Sequence, residues 1–307
     1  IICYDMHPQY FSSKIAKEMI KQNKNLIGIP TQHHHSHITS VMAENNLKNE
    51  KVIGVAFDGT GFGVDGNIWG GEFLISDYTN FERVCHLDYI PLPGGEKAIS
   101  QVWRLGCIYL YKTFGSDFLS LDIDFVKNID IEKWEVIEKM IKEKINCPLT
   151  SSMGRVFDAV SSICNIRNKI NYQGQAAIEL EMKIEKNKAK PYNYQIKKEK
   201  NIYIIKIEKI IEEIVYDLID KKEIGFISYK FHITVSNMIR EVVNILRKKT
   251  NINKVALSGG VFQNNFLLEK TYKSLKKDGF EILIHRKVPT NDGGICLGQS
   301  VIGNFYE

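Results

Sequence analysis

The order of apolar and polar residues predicts short buried strands towards both ends of the chain and amphipathic helices between them. Residues 52–57 form an apolar, β-branched run, which is typical of a strand that is buried on both faces. Residues 206–221 instead repeat isoleucine, valine and leucine every three or four positions, which is the period of an amphipathic helix. The same two periods assign the remaining elements.

The strands predicted in this way are residues 26–30, 52–57, 69–75, 81–90, 254–257 and 281–285. The predicted helices are residues 33–46, 101–114, 131–144, 153–166, 206–221, 226–248 and 262–277, with a last helix after Asp292. The glycine-rich residues 58–66 join two strands, so we expect a hairpin turn there. A hairpin near one end, helices in the middle and a βαβ unit near the other end predict an α/β protein with a cleft between two lobes.

Composition and charge narrow the class of protein. The chain has 307 residues, and its apolar share of 44% is ordinary for a globular protein rather than a membrane protein. No apolar run approaches the roughly 20 residues that span a bilayer, and the N-terminus does not resemble a signal peptide. The six cysteines are scattered and form no CxxC pair, which predicts buried free thiols in a cytoplasmic protein and disfavours a zinc ribbon.

Two further features concern partners and chain ends. The net charge of +5 is mild, and the lysine-rich residues 183–200 are more typical of a solvated loop or edge than of a nucleic-acid surface. We therefore expect no nucleic-acid partner and no membrane association. Because the chain begins with Ile1 inside an apolar run, we also expect it to be part of a longer protein.

Four histidines within five positions are the clearest candidates for chemistry. Positions i and i+4 share one face of a helix, so His33 and His37 can bind the same metal ion. A lone histidine is more often packed or hydrogen-bonded, but four at the start of a predicted helix favour a metal. Two ligands make half a site, so carboxylates must come from elsewhere. His34 and His35 point off this face and are candidates for supporting or substrate-facing roles.

Two aspartates are the candidates for those carboxylates. Asp58 follows a buried strand, where a carboxylate costs stability unless it is solvated or paired with a cation. A tight hairpin would explain the glycines that follow but not this carboxylate, so we interpret Asp58 as a metal ligand or a residue beside phosphate. Asp292 precedes the Gly-Gly that opens the last helix, and by itself it would be a helix cap. Beside the other motifs, Asp292 is the natural fourth ligand.

Residues 258–264 are a candidate anion or adenosine site. A strand ends in Ser-Gly-Gly and a helix begins at once, so glycine backbone and helix N–H groups can face an anion. Many strand–helix turns share this pattern, so the signal is weak by itself. Asn264 is placed to bond a ribose or base. Asp158 lies in an otherwise apolar helix, where a salt bridge with Arg155 is about as plausible as a substrate contact.

Taken in order, these motifs resemble the C-terminal carbamoyl-transfer region of HypF, a carbamoyltransferase family of [NiFe]-hydrogenase maturation within the actin/Hsp70/sugar-kinase superfamily. The strings that carry the resemblance are residues 5–10, 32–37, 57–61, 69–72, 91–95, 152–155, 172–177, 258–264 and 291–294. They span nearly the whole chain. The resemblance implies a two-lobed actin/Hsp70-like (ribonuclease H-like) fold, N-terminally truncated. The implied parts are the rest of the first lobe with the metal-binding helix (residues 1–50), a second lobe with helical insertions (51–293) and a helix returning to the first lobe (294–307).

The resemblance also implies a reaction and partners. HypF proteins form carbamoyl adenylate from carbamoyl phosphate and ATP, and they pass the carbamoyl group to the C-terminal cysteine of HypE, on the way to the cyanide ligand of the hydrogenase iron. The implied ligands of a divalent metal are His33, His37, Asp58 and Asp292, and the metal is iron, zinc or, with nucleotide, magnesium. The implied contacts of the nucleotide or carbamoyl adenylate are Gly59, Thr60, Asp158, Gly174, Gly259, Gly260 and Asn264.

No residue is assigned as an acid or base, so the implied catalysis is by positioning and electrostatics. Lys97 and Arg104 are further candidates to meet phosphate or carbamoyl, and solvated helix-start charges are the equal alternative. HypF proteins also carry N-terminal acylphosphatase, zinc-finger and YrdC-like domains, which this sequence lacks, so we expect that the chain alone does not form carbamoyl adenylate. The alternatives are a small-molecule O-carbamoyltransferase and a truncated, non-catalytic nucleotide-binding module.

Overall fold

The computed structural model describes residues 1–186 and 188–306. The strands are β1 (Ile2–Asp5), β2 (Gly28–Thr31), β3 (Val52–Phe57), β4 (Gly71–Ser76), β5 (Phe81–Leu87), β6 (Ile90–Pro91), β7 (Leu149–Thr150), β8 (Gln195–Glu199), β9 (Ile202–Lys206), β10 (Lys254–Ser258) and β11 (Glu281–Leu283). The helices are α1 (Phe11–Gln22), α2 (His33–Glu44), α3 (Glu96–Ser100), α4 (Trp103–Phe114), α5 (Asp124–Lys127), α6 (Ile131–Lys142), α7 (Met153–Ile163), α8 (Gln175–Met182), α9 (Glu208–Ile219), α10 (Ile224–Thr250), α11 (Asn265–Lys277) and α12 (Ile295–Asn304). The chain divides into two compact units, Ile1–His86 with Ile239–Glu307, and Leu87–Met238.

A mixed sheet forms the centre of the first unit. Within this unit the strands of the sheet lie in the order β11, β10, β3, β4, β5; β11, β10 and β3 are parallel, and β4 is antiparallel to both β3 and β5. Every residue of β3 and β4 is buried, because helix α2 packs against both strands. Glycine at position 54 permits this contact, since a Cβ there would lie 2.6 Å from Ile38 Cγ1. The parallel pairing of β3 and β10 brings the ends of both strands to one edge of the sheet.

Helix α2 is the central helix of the first unit. It follows β2, which pairs with β1 in a separate parallel two-stranded sheet, and its residues from His33 to Met42 are all buried. Helix α12 packs against α2 so closely that a Cβ on Gly298 would overlap the backbone oxygen of Ser36. Helix α2 is therefore fixed between the sheet and α12.

The second unit is mainly helical. Helix α4 packs against α7 and α9, and α7 packs against α8. Helix α9 buries Ile210, Ile211, Ile214 and Val215, as its amphipathic pattern predicts. Two antiparallel pairs, β6 with β7 and β8 with β9, complete this unit. The chain leaves the second unit through α10, in which the boundary between the units falls.

The predicted α/β fold class is confirmed, and most predicted elements lie within a few residues of the observed ones. Strand β3 has the predicted bounds, while α11 begins at Asn265 because Gly260–Gln263 forms a 3₁₀ turn. The predictions missed the elements β1, α1, α3, α5, β7, α8, β8 and β9. Within the lysine-rich residues 183–200, Asn187 lies outside the described residues and Gln195–Glu199 is an exposed strand.

The expectation that all cysteines are buried was wrong for Cys296, which is exposed, and for Cys3 and Cys147, which are half-buried, although each of the six is a free thiol. None of the helices among residues 1–186 and 188–306 is long and apolar enough to cross a membrane. The lobe boundaries implied by the family resemblance stay a prediction.

Candidate metal centre

The first turn of α2 carries the two histidines that the sequence paired. Gln32 caps the helix, because its side-chain oxygen accepts a hydrogen bond from the backbone N–H of His35 at 2.8 Å. His33 and His37 lie one turn apart, with ring centroids separated by 4.9 Å. Both side chains are buried, so their Nε2 atoms face the same enclosed side of the helix.

Two carboxylates reach the same Nε2 atoms from other elements. Asp58 follows β3, and its Oδ2 lies 3.3 Å from His33 Nε2 and 3.4 Å from His37 Nε2. Asp292 lies in the 3₁₀ turn before α12, and its Oδ1 lies 3.5 Å and 3.4 Å from the same two nitrogens. One donor atom from each residue lies within 4.8 Å of every other. The structure thus brings together all four residues proposed as ligands.

The donor set and its spacing fit a divalent cation. Four ligands about 2.1 Å from a tetrahedral ion lie about 3.4 Å from one another, close to the nitrogen–oxygen distances here. Among the described residues, His37 Nε2 is a buried atom that makes no hydrogen bond of good geometry. Two imidazoles with two carboxylates suit zinc or iron. The Asp292 side chain is 54% exposed while the other three are buried, which leaves one side open to a substrate.

The pKa shifts of the clustered residues also favour binding of a cation. Burial opposes protonation of His33, but hydrogen bonds to Asp292, Asp5 and Asp58 outweigh it and raise the pKa of His33 well above its ordinary value. Burial likewise opposes ionisation of Asp58, but the nearby His33 and His37 rings hold its pKa well below the ordinary value. The carboxylates therefore attract positive charge, which protons supply in the absence of a cation. A metal ion would have to displace those protons.

Asp5, at the end of β1, orients His33. Its Oδ2 lies 2.8 Å from His33 Nδ1, and its Oδ1 accepts a hydrogen bond from the backbone N–H of His7 at 2.8 Å. Asp5 holds the proton on His33 Nδ1 through this contact, so Nε2 is the nitrogen whose lone pair can bind a cation once its own proton is displaced. The sequence did not single out Asp5 as a site residue. Its partner is 28 positions away, and only its place in a family string pointed to it.

The glycine-rich turns lie directly against these ligands. The backbone N–H of Gly260 donates to Asp58 Oδ1 at 3.0 Å, and a Cβ on Gly260 would lie 2.9 Å from that atom. Gly259 has a φ of +103°, and a Cβ there would overlap the backbone oxygen of Phe57. Glycine is required at both positions, because β10 ends against the end of β3. Gly59 and Thr60 follow Asp58 directly in the hairpin.

Asn264 has an observed structural role. Its side-chain oxygen accepts a hydrogen bond from the backbone N–H of Leu267 at 2.8 Å, so it is the N-cap of α11. Its amide nitrogen lies on the same side chain, so capping does not exclude the predicted nucleotide contact. That contact stays a prediction.

His34 and His35 lie outside the cluster. His35 Nε2 lies 2.7 Å from the backbone oxygen of Asp77, to which it donates. His34 Nδ1 lies 3.2 Å from Gln32 Nε2, and its ring packs against Gly61, where a Cβ would overlap it. Burial lowers the pKa of His34 well below its ordinary value, so that ring is neutral. Both histidines fix α2 against its neighbours.

The remaining predicted site residues belong to the second unit. Asp158 pairs with Arg155 at 2.7 Å, which is the salt bridge that the sequence suggested as an alternative, and both side chains are buried. Burial raises the pKa of Asp158, and the charge of Arg155 only partly offsets this. Gly174 has a φ of +78° and precedes α8. Lys97 is exposed in α3, and Arg104 Nε bonds Gln101 Oε1 at 3.0 Å.

Comparison with known protein families gives two matches. Residues 54–299 match the family model described as carbamoyltransferase, Kae1-like domain, second subdomain. Residues 1–44 match the model described as HypF Kae1-like domain.

Similar curated proteins carry related names. A carbamoyltransferase HypF of Synechocystis sp. is 37% identical over 97% of this chain and 39% of its own length. A probable carbamoyltransferase HypF of Methanocaldococcus jannaschii is 33% identical over 98% of this chain and 38% of its own length. The chain thus spans about two fifths of the length of these relatives.

Solved structures show the same fold. A crystal structure of full-length HypF in the phosphate- and nucleotide-bound form has a TM-score of 0.91 and 46% identity, over 98% of this chain and 46% of that one. The crystal structure of T. kodakarensis HypF has a TM-score of 0.86 and 31% identity, over 97% of this chain and 39% of that one.

Proposed function

This chain belongs to the HypF family of carbamoyltransferases, and from that membership we propose that it transfers a carbamoyl group from carbamoyl adenylate to a cysteine thiol. The proposed donor is formed from carbamoyl phosphate and ATP, and the proposed acceptor is the C-terminal cysteine of a HypE-type protein. The observation that supports this most is the cluster of His33, His37, Asp58 and Asp292 within a chain that matches the carbamoyltransferase family model.

In the proposed site these four residues would hold a divalent cation. The cation would supply positive charge to the phosphate oxygens and so favour departure of AMP. Asp58 and Asp292 would hold the cation by charge, and Asp5 keeps the proton of His33 on Nδ1, away from the cation. Iron and zinc are the proposed metals because of the histidine ligands, and nucleotide could also bring magnesium.

The glycine turns would position the adenylate. Gly59, Thr60, Gly259 and Gly260 offer a backbone surface without bulky side chains beside Asp58, which suits a phosphate group. For the adenosine part we propose contacts with Asp158, Gly174 and Asn264. A nucleotide-bound structure among the similar proteins supports the choice of ligand.

The transfer itself forms one bond and breaks one. The acceptor sulfur attacks the carbamoyl carbon, a C–S bond forms, and the C–O bond to phosphate breaks so that AMP leaves with the electron pair. No side chain is assigned as a base, so the thiol proton goes to solvent and the thiolate is the attacking species. Catalysis then consists of holding the two reactants together and stabilising charge on phosphate.

A transfer assay tests this proposal. Carbamoyl adenylate is supplied across a dialysis membrane by a separate adenylate-forming enzyme, and the chain is incubated with zinc or ferrous iron and a peptide that ends in cysteine. We expect the peptide to gain one carbamoyl group by mass spectrometry, and the Asp58→Asn variant to fall to background. The matched control is Asp122→Asn, which removes an exposed carboxylate.

A second acceptor separates the proposed function from an O-carbamoyltransferase. The same assay with a small hydroxylated metabolite or a peptide ending in serine should give no product. Carbamoylation of the hydroxyl but not of the thiol would contradict the proposed acceptor, and equal product with and without the chain would contradict the activity.

A further inference from the structure

A line of buried polar side chains leads away from the candidate metal centre on the far side of His37. Ser258 Oγ lies 3.4 Å from His37 Nδ1 and 3.1 Å from His285 Nε2. His285 Nδ1 in turn lies 2.7 Å from Glu44 Oε2. Ser258 is fully buried, and the side chains of His285 and Glu44 are only 4% and 6% exposed. We call these three residues the Glu44 relay.

The hydrogen-bonding capacity of each group determines which atom donates and which accepts in every hydrogen bond of the relay, and we call this order the direction of the relay. Hydrogen bonds from His285 and from backbone N–H groups outweigh the effect of burial and lower the pKa of Glu44, so it is a carboxylate that only accepts. His285 Nδ1 must therefore donate to it. Burial lowers the pKa of His285 despite Glu44, so its ring is neutral and its Nε2 accepts a hydrogen bond. The Ser258 hydroxyl supplies that bond.

The direction of the relay has a consequence for His37. Because the Ser258 proton points to His285, the lone pairs of Ser258 Oγ face His37 Nδ1, which must carry a proton to bond there. A neutral His37 with its proton on Nδ1 presents a lone pair on Nε2. That nitrogen is the atom that faces Asp58 and Asp292. The relay thus selects the tautomer that can bind a cation.

Glu44 also fixes the segment that leads to Asp292. Its Oε1 accepts hydrogen bonds from the backbone N–H groups of Arg286 at 2.6 Å and Lys287 at 2.5 Å. These residues lie in the loop between β11 and the turn that carries Asp292. Glu44 is at the end of the helix that carries His33 and His37, so one carboxylate ties both parts of the candidate centre together.

We propose that Glu44, His285 and Ser258 are positioning residues that set the tautomer of His37 and thereby its capacity to bind a metal through Nε2. The inference rests on the metal-binding part of the proposed function. Ser258 reaches His37 at Nδ1, and Glu44 bonds the backbone of residues 286 and 287, so their effect on the centre passes through His37 and the Asp292 loop.

The Glu44→Gln variant reverses the relay without changing its shape. The backbone N–H groups of residues 286 and 287, at 2.6 Å and 2.5 Å, hold the amide oxygen on their side more closely than the N–H of residue 288, at 3.4 Å from the other oxygen, would hold it there. The amide nitrogen therefore faces His285 Nδ1. That nitrogen donates, so the His285 proton moves to Nε2 and donates to Ser258. The Ser258 hydroxyl then turns towards His37 Nδ1, and the His37 proton moves to Nε2, where it blocks the lone pair.

The experiment combines two measurements on the full chain. NMR of the metal-free chain with ¹⁵N-labelled histidine reads which ring nitrogen of His285 carries the proton, and chelator competition measures the affinity for Zn²⁺. For Glu44→Gln we expect the His285 proton on Nε2 and an affinity for Zn²⁺ about 10- to 100-fold lower. Ser258→Ala should weaken Zn²⁺ binding similarly but leave the proton of His285 on Nδ1. Urea unfolding of each variant checks that it is folded.

The matched control and the contrary outcomes separate this inference from the function on which it rests. Glu50→Gln makes the same change at an exposed carboxylate that pairs with Lys254, and both measurements should equal those of the wild type. A wild-type chain that binds no Zn²⁺ overturns the metal centre and the inference with it. If the wild type binds Zn²⁺, an unchanged His285 proton or an unchanged affinity in Glu44→Gln overturns the relay alone.

Discussion

The pKa values of two buried histidines in this protein are shifted in opposite directions by their surroundings. His33 lies among three carboxylates, which raise its pKa well above the ordinary value in spite of burial. His232, in α10, donates a hydrogen bond from its Nδ1 to the backbone oxygen of Ser228 at 2.7 Å. Burial lowers the pKa of His232 to about 4. The first residue is suited to bind positive charge, and the second is suited to remain neutral.

Replacement of His232 should make stability less sensitive to acid. Its pKa is about 4 in the folded protein and about 6.5 when unfolded, so the unfolded chain takes up the proton first. The stabilising contribution is complete above pH 6.5 and is lost as the pH falls towards 4, where the loss approaches about 3 kcal/mol. His232→Gln should therefore lose less free energy of unfolding than the wild type between pH 7 and pH 4.5 in urea titrations. Parallel losses in the two proteins would contradict this.

At the scale of elements, the candidate centre depends on how tightly α2 is packed. Strands β3 and β10 end beside the candidate centre. Helix α12 crosses α2 where Gly298 meets Ser36. The hydroxyl of Ser40 in α2 also donates to the backbone oxygen of Gly294 at 2.7 Å, just before α12. Close contact between these two helices keeps Asp292 beside His33 and His37.

Enlarging Gly298 should loosen that contact. A Cβ there would overlap the backbone oxygen of Ser36, which cannot rotate away as a side chain could. We expect Gly298→Ala to lower the free energy of unfolding by about 1–3 kcal/mol in urea titrations. Ser300→Ala, on the exposed side of the same helix, should change it by less than about 0.5 kcal/mol. Equal stability of Gly298→Ala and the wild type would show that the helices do not pack as described.

The elements also show what the sequence could and could not reveal. Val52–Phe57 was predicted with its observed bounds because a strand buried on both faces leaves an apolar run. Helix α1 was missed, and its pattern misleads: Phe11, Ile15 and Met19 are exposed, whereas Ser13 and Ala16 are buried. An amphipathic stripe does not say which side a neighbour covers.

The sequence also identified only part of the candidate site, because some of its contacts join residues far apart in the chain. His33, His37 and Asp58 were accessible from local spacing and from a carboxylate at a strand end, and Asp292 was added through its motif. The Glu44 relay was not accessible, because its partners are 241 and 221 positions apart and each residue alone looks ordinary. Such contacts depend on the pairing of β3 with β10 and on the path of the loop after β11.

For the molecule as a whole, one small site joins distant parts of the chain. The candidate ligands come from α2, the end of β3 and the turn before α12, so a bound cation would link three segments of the first unit. The chain belongs to the HypF carbamoyltransferase family, and these four residues all lie within the matched regions 1–44 and 54–299. Metal binding by this cluster is therefore the central claim about the molecule.

Elemental analysis of the purified chain tests that claim most directly. After equilibration with Zn²⁺ and removal of loosely bound metal, the wild type should retain a stoichiometric amount by inductively coupled plasma mass spectrometry, and His37→Ala should retain almost none. His232→Gln is the matched control, because it removes a buried histidine of α10 that lies outside the cluster. Metal retained by the wild type and by the control but not by His37→Ala is the result that we predict. Equal metal in the wild type and His37→Ala would contradict it.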